Sequence, residues 1–342
     1  MRKNLFLLLI AVMAAIHVCA QEVEIATLQN GDDVQLFFGH DAFIDAMDAA
    51  ESGGVITLSP GRFNATDITK PVTIYGSGYE TKADSLSVAE GKALYPTILY
   101  GDLDISLDSL QQQTNHLYVE GIYFSGYIYS NIVVKKYLQN ASFIKCRFKN
   151  FHFSGKSQNC YISQCRFENF GPGDAISMNL SNSIIRFIES NTRNSSLLIA
   201  NSLLFSVNEV INAIFKNCIM VGVTIDGYLK GNCSLYNCML ANNKIGGYVE
   251  IKQGNWIDEK YTMTLFGADN IAYNDTSMYE LTEEAKKIYL GTDGTQIGIY
   301  GGSQPFSTKL TIPRVVKQNI AGKTEAGKLK VNIEVESGDE SF

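Results

Sequence analysis

The sequence predicts an all-β protein, a right-handed parallel β-helix solenoid with an N-terminal capping helix and a short C-terminal appendix. Three observations support this prediction. A column pattern recurs seven times between Leu117 and Leu240, the repeat averages about 19 residues, and apolar residues alternate with polar ones on both sides of a turn position. Alternation with period two indicates short strands, and about 19 residues are too few for a pair of helices. No single copy can bury its own apolar face, so the copies have to stack.

Each copy of the repeat centres on one turn residue. The turn residues are Gly121, Lys145, Gln164, Asn182, Asn201, Asn217 and Asn237. Two positions earlier stand Val119, Phe143, Ile162, Leu180, Ile199, Phe215 and Leu235. We expect these apolar side chains to form one continuous buried stack, because each rung returns to the same place one layer up. Asparagine tolerates left-handed backbone geometry, and we expect the stacked amides of the turn column to hydrogen-bond along the solenoid axis.

The first residues, 1–20, are interpreted as a secretory signal peptide. Two basic residues precede an apolar run from Leu5 to Ile16, and cleavage is expected after Ala20. The sequence therefore predicts export, to the periplasm, the cell surface or the medium. No later run approaches the roughly 18 apolar residues that a membrane span needs, so no membrane span is expected.

The net charge of the chain indicates which classes of binding partner to expect. After cleavage at Ala20 the chain has 26 basic and 35 acidic residues, a net charge of −9. Nucleic acids and anionic membranes need a basic surface, so neither is expected as a partner.

The rest of the chain divides into three parts. Residues 21–54 form a lead-in and N-terminal cap, in which Asp41 is the expected N-cap of a helix with helical apolar spacing at Phe43, Ala46 and Met47. Residues 55–302 form the parallel β-helix. Its pattern weakens after Gly246, where Val249 with Ile251 and Met263 with Leu265 are each expected to supply a last strand. Residues 303–342 form a C-terminal tail with one expected strand, between Leu329 and Val335.

The opening of the solenoid resembles a known family. A helix followed by "GGVITLSPGRF" from Gly53 and "ITKPVTIYGSGYE" from Ile68 looks like the first rungs of bacterial proteins with the pectin lyase-like β-helix fold. The glycine-rich segment from Gly291 to Gly302 is similar to the ends of secreted β-helix proteins of Bacteroidota. This resemblance covers roughly residues 40 to 302. It implies the fold and an exported bacterial protein, but it leaves activity open, because this fold hosts lyases, hydrolases, adhesins and inert spikes.

Six cysteines remain after cleavage, and two interpretations stay open. An exported protein with six cysteines suggests a disulfide framework. However, the cysteines occupy inward positions of the repeat where serine, alanine and leucine alternate with them, which favours packed thiols. Cysteines one rung apart, such as Cys146 and Cys165, lie close enough to oxidise.

The search for catalytic chemistry finds no candidate catalytic residue, metal ligand or cofactor site. Glycoside cleavage needs two carboxylates at a defined separation, and no acid of the seven rungs recurs at rung spacing beside a second one. The one suggestive outward feature is Tyr123, Arg147 and Arg166, which follow each other two positions after the turn. Two interpretations of these residues stay open. As a functional site they form a strip that docks an acidic sugar, with the arginines as paired donors. The alternative is a solvated edge with arginines lying over apolar neighbours.

Two functions follow as hypotheses. The first is an exported, non-catalytic β-helix protein of the cell envelope whose partner is a polysaccharide or a cell-surface glycan. The second is a polysaccharide lyase or a related carbohydrate-active enzyme.

Overall fold

The structure, a computed structural model, describes residues 24–82, 95–125, 131–189, 196–221, 229, 232–240, 249–251, 254–257, 261–268, 271–320 and 331–336. The expected signal peptide lies outside these residues. The described chain is mostly β and forms a parallel β-solenoid of about 8 turns, which confirms the predicted class of fold. None of the described helices is both long enough and apolar enough to cross a membrane.

Two long sheets run along the solenoid. In spatial order the first consists of β2 (Asp33–Phe38), β1 (Ile25–Asn30), β3 (Val55–Leu58), β5 (Thr73–Tyr75), β8 (Tyr118–Glu120), β12 (Ser142–Ile144), β15 (Cys160–Ser163), β18 (Met178–Ser181), β20 (Leu197–Ala200), β22 (Ala213–Lys216), β24 (Cys233–Tyr236) and β26 (Val249–Ile251). The second consists of β4 (Gly61–Asn64), β6 (Thr97–Tyr100), β9 (Ile122–Ser125), β13 (Arg147–Phe153), β16 (Arg166–Gly171), β19 (Ile184–Ile188), β21 (Leu203–Leu204), β23 (Ile219–Met220), β25 (Met239–Leu240) and β27 (Trp256–Ile257), with β7 (Leu103–Ile105) and β10 (Asn131–Val134) beside them.

Smaller elements complete the description. A third sheet pairs β11 (Leu138–Gln139), β14 (Lys156–Gln158) and β17 (Asp174–Ala175), and β28 (Arg314–Ile320) pairs with β29 (Val331–Glu336). The helices are α1 (Ala42–Ala49), a 3₁₀ turn (Gln111–Gln113), α2 (Tyr261–Phe266) and α3 (Ala285–Ile288).

The register predicted from the repeat is confirmed. Equivalent residues of successive rungs pair directly, as Phe143 does with Val119 on one side and Ile162 on the other. All seven side chains of the expected stack are fully buried. All seven turn residues adopt positive φ, from 45° at Asn182 to 73° at Gly121. Like therefore stacks on like because each turn residue bends the chain from the first sheet into the second at the same place in every rung.

The column one position after the turn supports the rungs from inside. The Cys165 N–H donates to the Ser183 hydroxyl at 3.0 Å, and the Ser183 N–H donates to the Ser202 hydroxyl at 3.2 Å. The Cys146 N–H reaches the Cys165 sulfur at 3.4 Å. A small side chain with a polar atom therefore satisfies the buried backbone donor of the neighbouring rung. All six cysteines are buried and free in the structure, consistent with packed thiols.

The N-terminal helix is present, and Asp41 lies at its N-cap position as predicted. The Asp41 side chain makes no capping hydrogen bond to the helix, and its Oδ1 instead accepts from Asn64 Nδ2 at 2.7 Å. Phe43 and Met47 are buried in the main core. The first sheet itself ends in the β1–β2 hairpin, and the capping role of α1 stays a prediction.

The C-terminal third departs most from the sequence analysis. The described solenoid strands end with β27, not near residue 302. The pair Met263 and Leu265 belongs to helix α2 and is not a strand. In the tail the expected strand is present as β29, and it pairs antiparallel with β28, which was not predicted.

Candidate functional site

Much of the outer face of the second sheet is covered by a later part of the chain, residues 271–309, which we call the covering segment. Ile184, Leu203, Ile219 and Met239 point outward two positions after the turn, yet each is at most 2% exposed. They form a second core with residues of the covering segment, among them Leu281, Ile297, Ile299 and Phe306. Four apolar side chains on an outward column are stable there because a second layer removes them from water.

The turn column holds this covering segment in place. Asn182 Nδ2 donates to the carbonyls of Ile299 at 2.9 Å and Gly301 at 2.7 Å. Asn237 Nδ2 donates to the Leu290 carbonyl at 2.9 Å.

Asn217 and Lys145 extend the same contact. Asn217 Oδ1 accepts the Thr292 N–H at 2.9 Å, and Lys145 Nζ donates to the Lys309 carbonyl. The segment from 290 to 309 thus runs back along the turns, towards earlier rungs. The expected axial amide ladder is therefore wrong for Asn182, Asn217 and Asn237, whose amides bind the segment. An amide ladder does occur in another column, where Asn159 Nδ2 donates to Asn140 Oδ1 at 3.2 Å.

The predicted strip of Tyr123, Arg147 and Arg166 stacks in register, but its expected solvent exposure is wrong. Arg166 is completely buried, and the Arg147 side chain is 16% exposed. Arg147 lies over the Tyr123 ring at 4.3 Å and pairs with Asp275. The strip lies beneath the covering segment and fixes that segment to the sheet.

The Arg166 side chain binds backbone carbonyls of the covering segment. Its Nη2 donates to the Ser277 carbonyl at 2.8 Å, and its Nη1 reaches the Asn274 carbonyl at 3.5 Å. The guanidinium also lies 5.2 Å from the centre of the Phe306 ring. A buried charge is tolerated because carbonyl dipoles replace the water that it loses.

Residues 272–279 form a closed loop over the two arginines. The Tyr279 hydroxyl donates to the Ala272 carbonyl at 3.0 Å and accepts the Asn274 N–H at 2.5 Å. Asn274 Oδ1 accepts the Thr276 N–H at 2.8 Å, an Asx turn. The Phe205 ring packs edge-on against Tyr273 at 5.7 Å. Internal hydrogen bonds and aromatic packing therefore give this loop a defined shape.

A cleft of about 1060 Å³ lies between this loop and the second sheet. We call it the sheet–loop cleft. The sheet contributes one wall and the loop contributes the other. The lining residues are Glu168, Asn169, Arg186, Phe187, Phe205, Ser206, Ala272, Tyr273, Asn274 and Asp275. Aromatic rings, amides and charged groups therefore meet in one concave surface, which is the general composition of a ligand site.

The charged groups that line the sheet–loop cleft differ in whether they already have an ion-pair partner. Arg147 bridges two of the acids, since its Nη2 pairs with Asp275 and lies 3.9 Å from Glu168 Oε1. Arg186 is exposed and makes no hydrogen bond or ion pair with any residue that the structure describes. Burial, and then the negative charge of Asp275, raises the pKa of Tyr273, which keeps its hydroxyl protonated. Among the described lining residues, Arg186 is therefore a cation without an ion-pair partner, whereas the Tyr273 hydroxyl is buried.

A histidine–carboxylate pair lies at the second sheet, outside the residues that line the cleft. His152 Nδ1 lies 3.1 Å from Glu189 Oε2. The pair spans the intervening strand at Gly171, where an added Cβ would approach His152 Nδ1 to 2.6 Å. Glycine at this position lets the two side chains meet across a rung.

The sequence analysis missed the cleft residues because the loop lies about 100 residues from the sheet. A usable signal was the outward column Ile184, Leu203, Ile219 and Met239, since exposed apolar columns indicate a covering layer. Among the described residues, no three His, Cys, Asp or Glu side chains are grouped to hold a metal ion. Searches against protein-family models, curated proteins and solved structures returned no match for this chain.

Proposed function

We propose that this chain is an exported, non-catalytic β-solenoid protein that binds a glycan at the cell envelope through the sheet–loop cleft. The observation that carries the proposal is the composition of the cleft. Phe187, Phe205 and Tyr273 contribute rings, and Asn169 and Asn274 contribute amides, of which Asn169 Nδ2 and Asn274 Oδ1 are already bonded within the protein. Arg186 beside them makes no ion pair with a described residue. Sugars present C–H faces that pack on aromatic rings and hydroxyls that pair with amides and guanidinium groups.

The finer family assignment belongs to the same proposal. We propose that the solenoid is related to the pectin lyase-like β-helix proteins exported by Bacteroidota. Support comes from the opening motif, whose residues form β3 and β4 of one rung and β5 of the next. The apolar run before Ala20 supports export.

Binding is tested by screening immobilised neutral and acidic polysaccharides, followed by calorimetry with the ligand that is found. Arg186→Ala removes an exposed side chain that makes no hydrogen bond or ion pair with a described residue, so the fold should persist. Loss of a charge-assisted contact costs about 1.5–3 kcal/mol, which weakens binding by about 10- to 150-fold. Ile214→Ala is the matched control, because Ile214 is exposed on the first sheet, away from the cleft. Equal affinities for all three proteins would contradict the proposed site.

A second candidate, a polysaccharide lyase, is favoured by the His152–Glu189 pair. A histidine held by a carboxylate is a common general base, and lyases need a base to remove a proton beside a uronate carboxyl group. Unsaturated, ultraviolet-absorbing products from an acidic polysaccharide, lost in His152→Gln, would establish the lyase and refute the non-catalytic proposal. Binding without such products supports the first proposal.

A further inference from the structure

The first sheet ends in an open strand edge. Strand β2 pairs antiparallel with β1 along one side, and no other strand that the structure describes pairs along its second side. Helix α1 packs against β1 to β4, and no helix or strand that the structure describes covers the outer side of β2. An open edge is a template for adding a further strand.

The backbone groups on this edge can be assigned from the hairpin geometry. The Gly39 N–H donates to the Glu24 carbonyl at 2.8 Å, so Gly39 faces β1. In an antiparallel pair, alternate residues face the same partner. The residues of β2 that face β1 are therefore Asp33, Gln35 and Phe37. A two-residue turn with Gly31 at φ +59° closes the hairpin. In such a hairpin Asn30 and Asp33 face each other, which agrees with this assignment of alternate residues.

The N–H and C=O groups of Val34, Leu36 and Phe38 consequently point to the open edge. Their side chains lie together on the outer face of the sheet and are 60%, 55% and 61% exposed. Natural edge strands are protected by lysine, proline or a bulge. Strand β2 has none of these, and its one charged residue is Asp33 at its start. The edge therefore combines free backbone groups with an apolar stripe.

We propose that this edge is the interface between two copies of the chain, which pair β2 with β2 antiparallel about a two-fold axis at Leu36. In this register each Leu36 lies opposite Leu36 of the second copy, and each Val34 lies opposite Phe38 of the second copy. Six apolar side chains then form one cluster across the joined sheets. Asp33 lies opposite Gly39 of the second copy, so no like charges of β2 face each other.

The alternation of backbone groups along β2 favours a second copy of the chain as the strand that binds this edge. Leu36, Val34 and Phe38 are the residues whose backbone groups point to the edge, so all three opposed pairs exchange two hydrogen bonds each. A one-residue shift of the register would place apolar residues opposite the polar face and lose this match. Pairing about a two-fold axis also uses each edge once and closes the assembly. A six-residue edge is small for an interface, so association should depend on concentration in the micromolar range.

The test is sedimentation velocity of the mature protein across micromolar concentrations. The wild type should shift from monomer to dimer, and Leu36→Lys should raise the dissociation constant more than about 100-fold, because each dimer gains two facing ammonium groups. Ile214→Lys is the matched control, since Ile214 is 46% exposed on the same sheet but far from the edge. It should associate like the wild type. A wild type that stays monomeric, or a Leu36→Lys variant that still dimerises, would overturn the proposal.

A second measurement tests the register without relying on affinity. Cysteine introduced by Leu36→Cys should give a covalent dimer with a short thiol-reactive cross-linker, because opposed residues lie about 5.5 Å apart at their Cα atoms. Ile214→Cys should give none. Equal cross-linking at both positions, or none at Leu36→Cys, would refute the register.

Discussion

Arg166 connects the solenoid to its covering segment, and its replacement gives the sharpest energetic prediction. Arg166→Met keeps the apolar stem but removes the guanidinium that donates to the Ser277 and Asn274 carbonyls. A hydrogen bond from a charged donor contributes about 1.5–3 kcal/mol, and the contact with the Phe306 ring adds about 0.5–1 kcal/mol. The 3.5 Å contact to Asn274 is weak, so the expected loss of stability is about 2–4 kcal/mol.

This loss should be local at first. The rungs beneath Arg166 keep their hydrogen bonds and their core, whereas the 272–279 loop loses its attachment. Urea unfolding should therefore show a lower midpoint, and limited proteolysis should cut between residues 272 and 279 before the rungs are attacked. Arg186→Met is the matched control, because it removes an arginine of the next strand that makes no contact of this kind. It should unfold and resist cleavage like the wild type.

The reasoning would be refuted if Arg166→Met were as stable as the control and cleaved at the same rate. That result would show that the guanidinium is solvated in solution and that the segment does not depend on it. The second core of Leu281, Ile297 and Phe306 would then have to hold the segment alone.

Three further predictions concern the solenoid. Ile199→Asp buries an unpaired charge in the middle of the stack and should destabilise the protein by about 4 kcal/mol or more, measured by urea unfolding, whereas Ile214→Asp on the same sheet should change stability by about 0.5 kcal/mol or less. Denaturing alkylation without reductant should label all six mature cysteines in a mass spectrum, while protected thiols would reveal disulfides. Burial raises the pKa of Cys160 from 9.0 to about 11, so the folded state keeps a proton that the unfolded state releases; stability should fall as pH rises from about 9 to 11, and less steeply in Cys160→Ala.

The rungs could be predicted because their determinants are local and repeated. Phe143, Ile162 and Leu180 each stand two positions before a turn residue, so one alignment of the repeat fixes the inward face of every strand. The positive φ of Asn182 follows from the same column, because asparagine tolerates that geometry. Errors in one copy are corrected by the other six, which explains why the whole stack was assigned without a mistake.

The covering segment could not be predicted because its contacts are long-range and occur once. Asn182 binds the Ile299 carbonyl 117 residues away, and the repeat pattern contains no signal that predicts this contact. The same amide is compatible with an axial ladder or with binding a passing strand, and periodicity does not choose between them. Arg166 was assigned to solvent for this reason, since a column shows which way a side chain points but not what lies over it.

The loop residues that line the sheet–loop cleft could not be predicted for the same reason. Tyr273 and Asp275 lie in a stretch without apolar alternation, so nothing in the pattern places them beside Phe205 or Arg147. The sheet–loop cleft needs both partners, and the sequence shows only the sheet side of it.

Hydrogen exchange of the 290–306 segment tests the central claim most directly, because the second core exists only if this part of the chain covers the second sheet. The Gly298 N–H donates to the Asn217 carbonyl at 2.8 Å, and the Phe306 N–H donates to the Ile299 carbonyl at 2.8 Å. Peptides that contain these amides should exchange as slowly as those of the neighbouring rungs around Ile199, over minutes to hours. Complete exchange within seconds would show a segment detached from the solenoid, and it would contradict the second core.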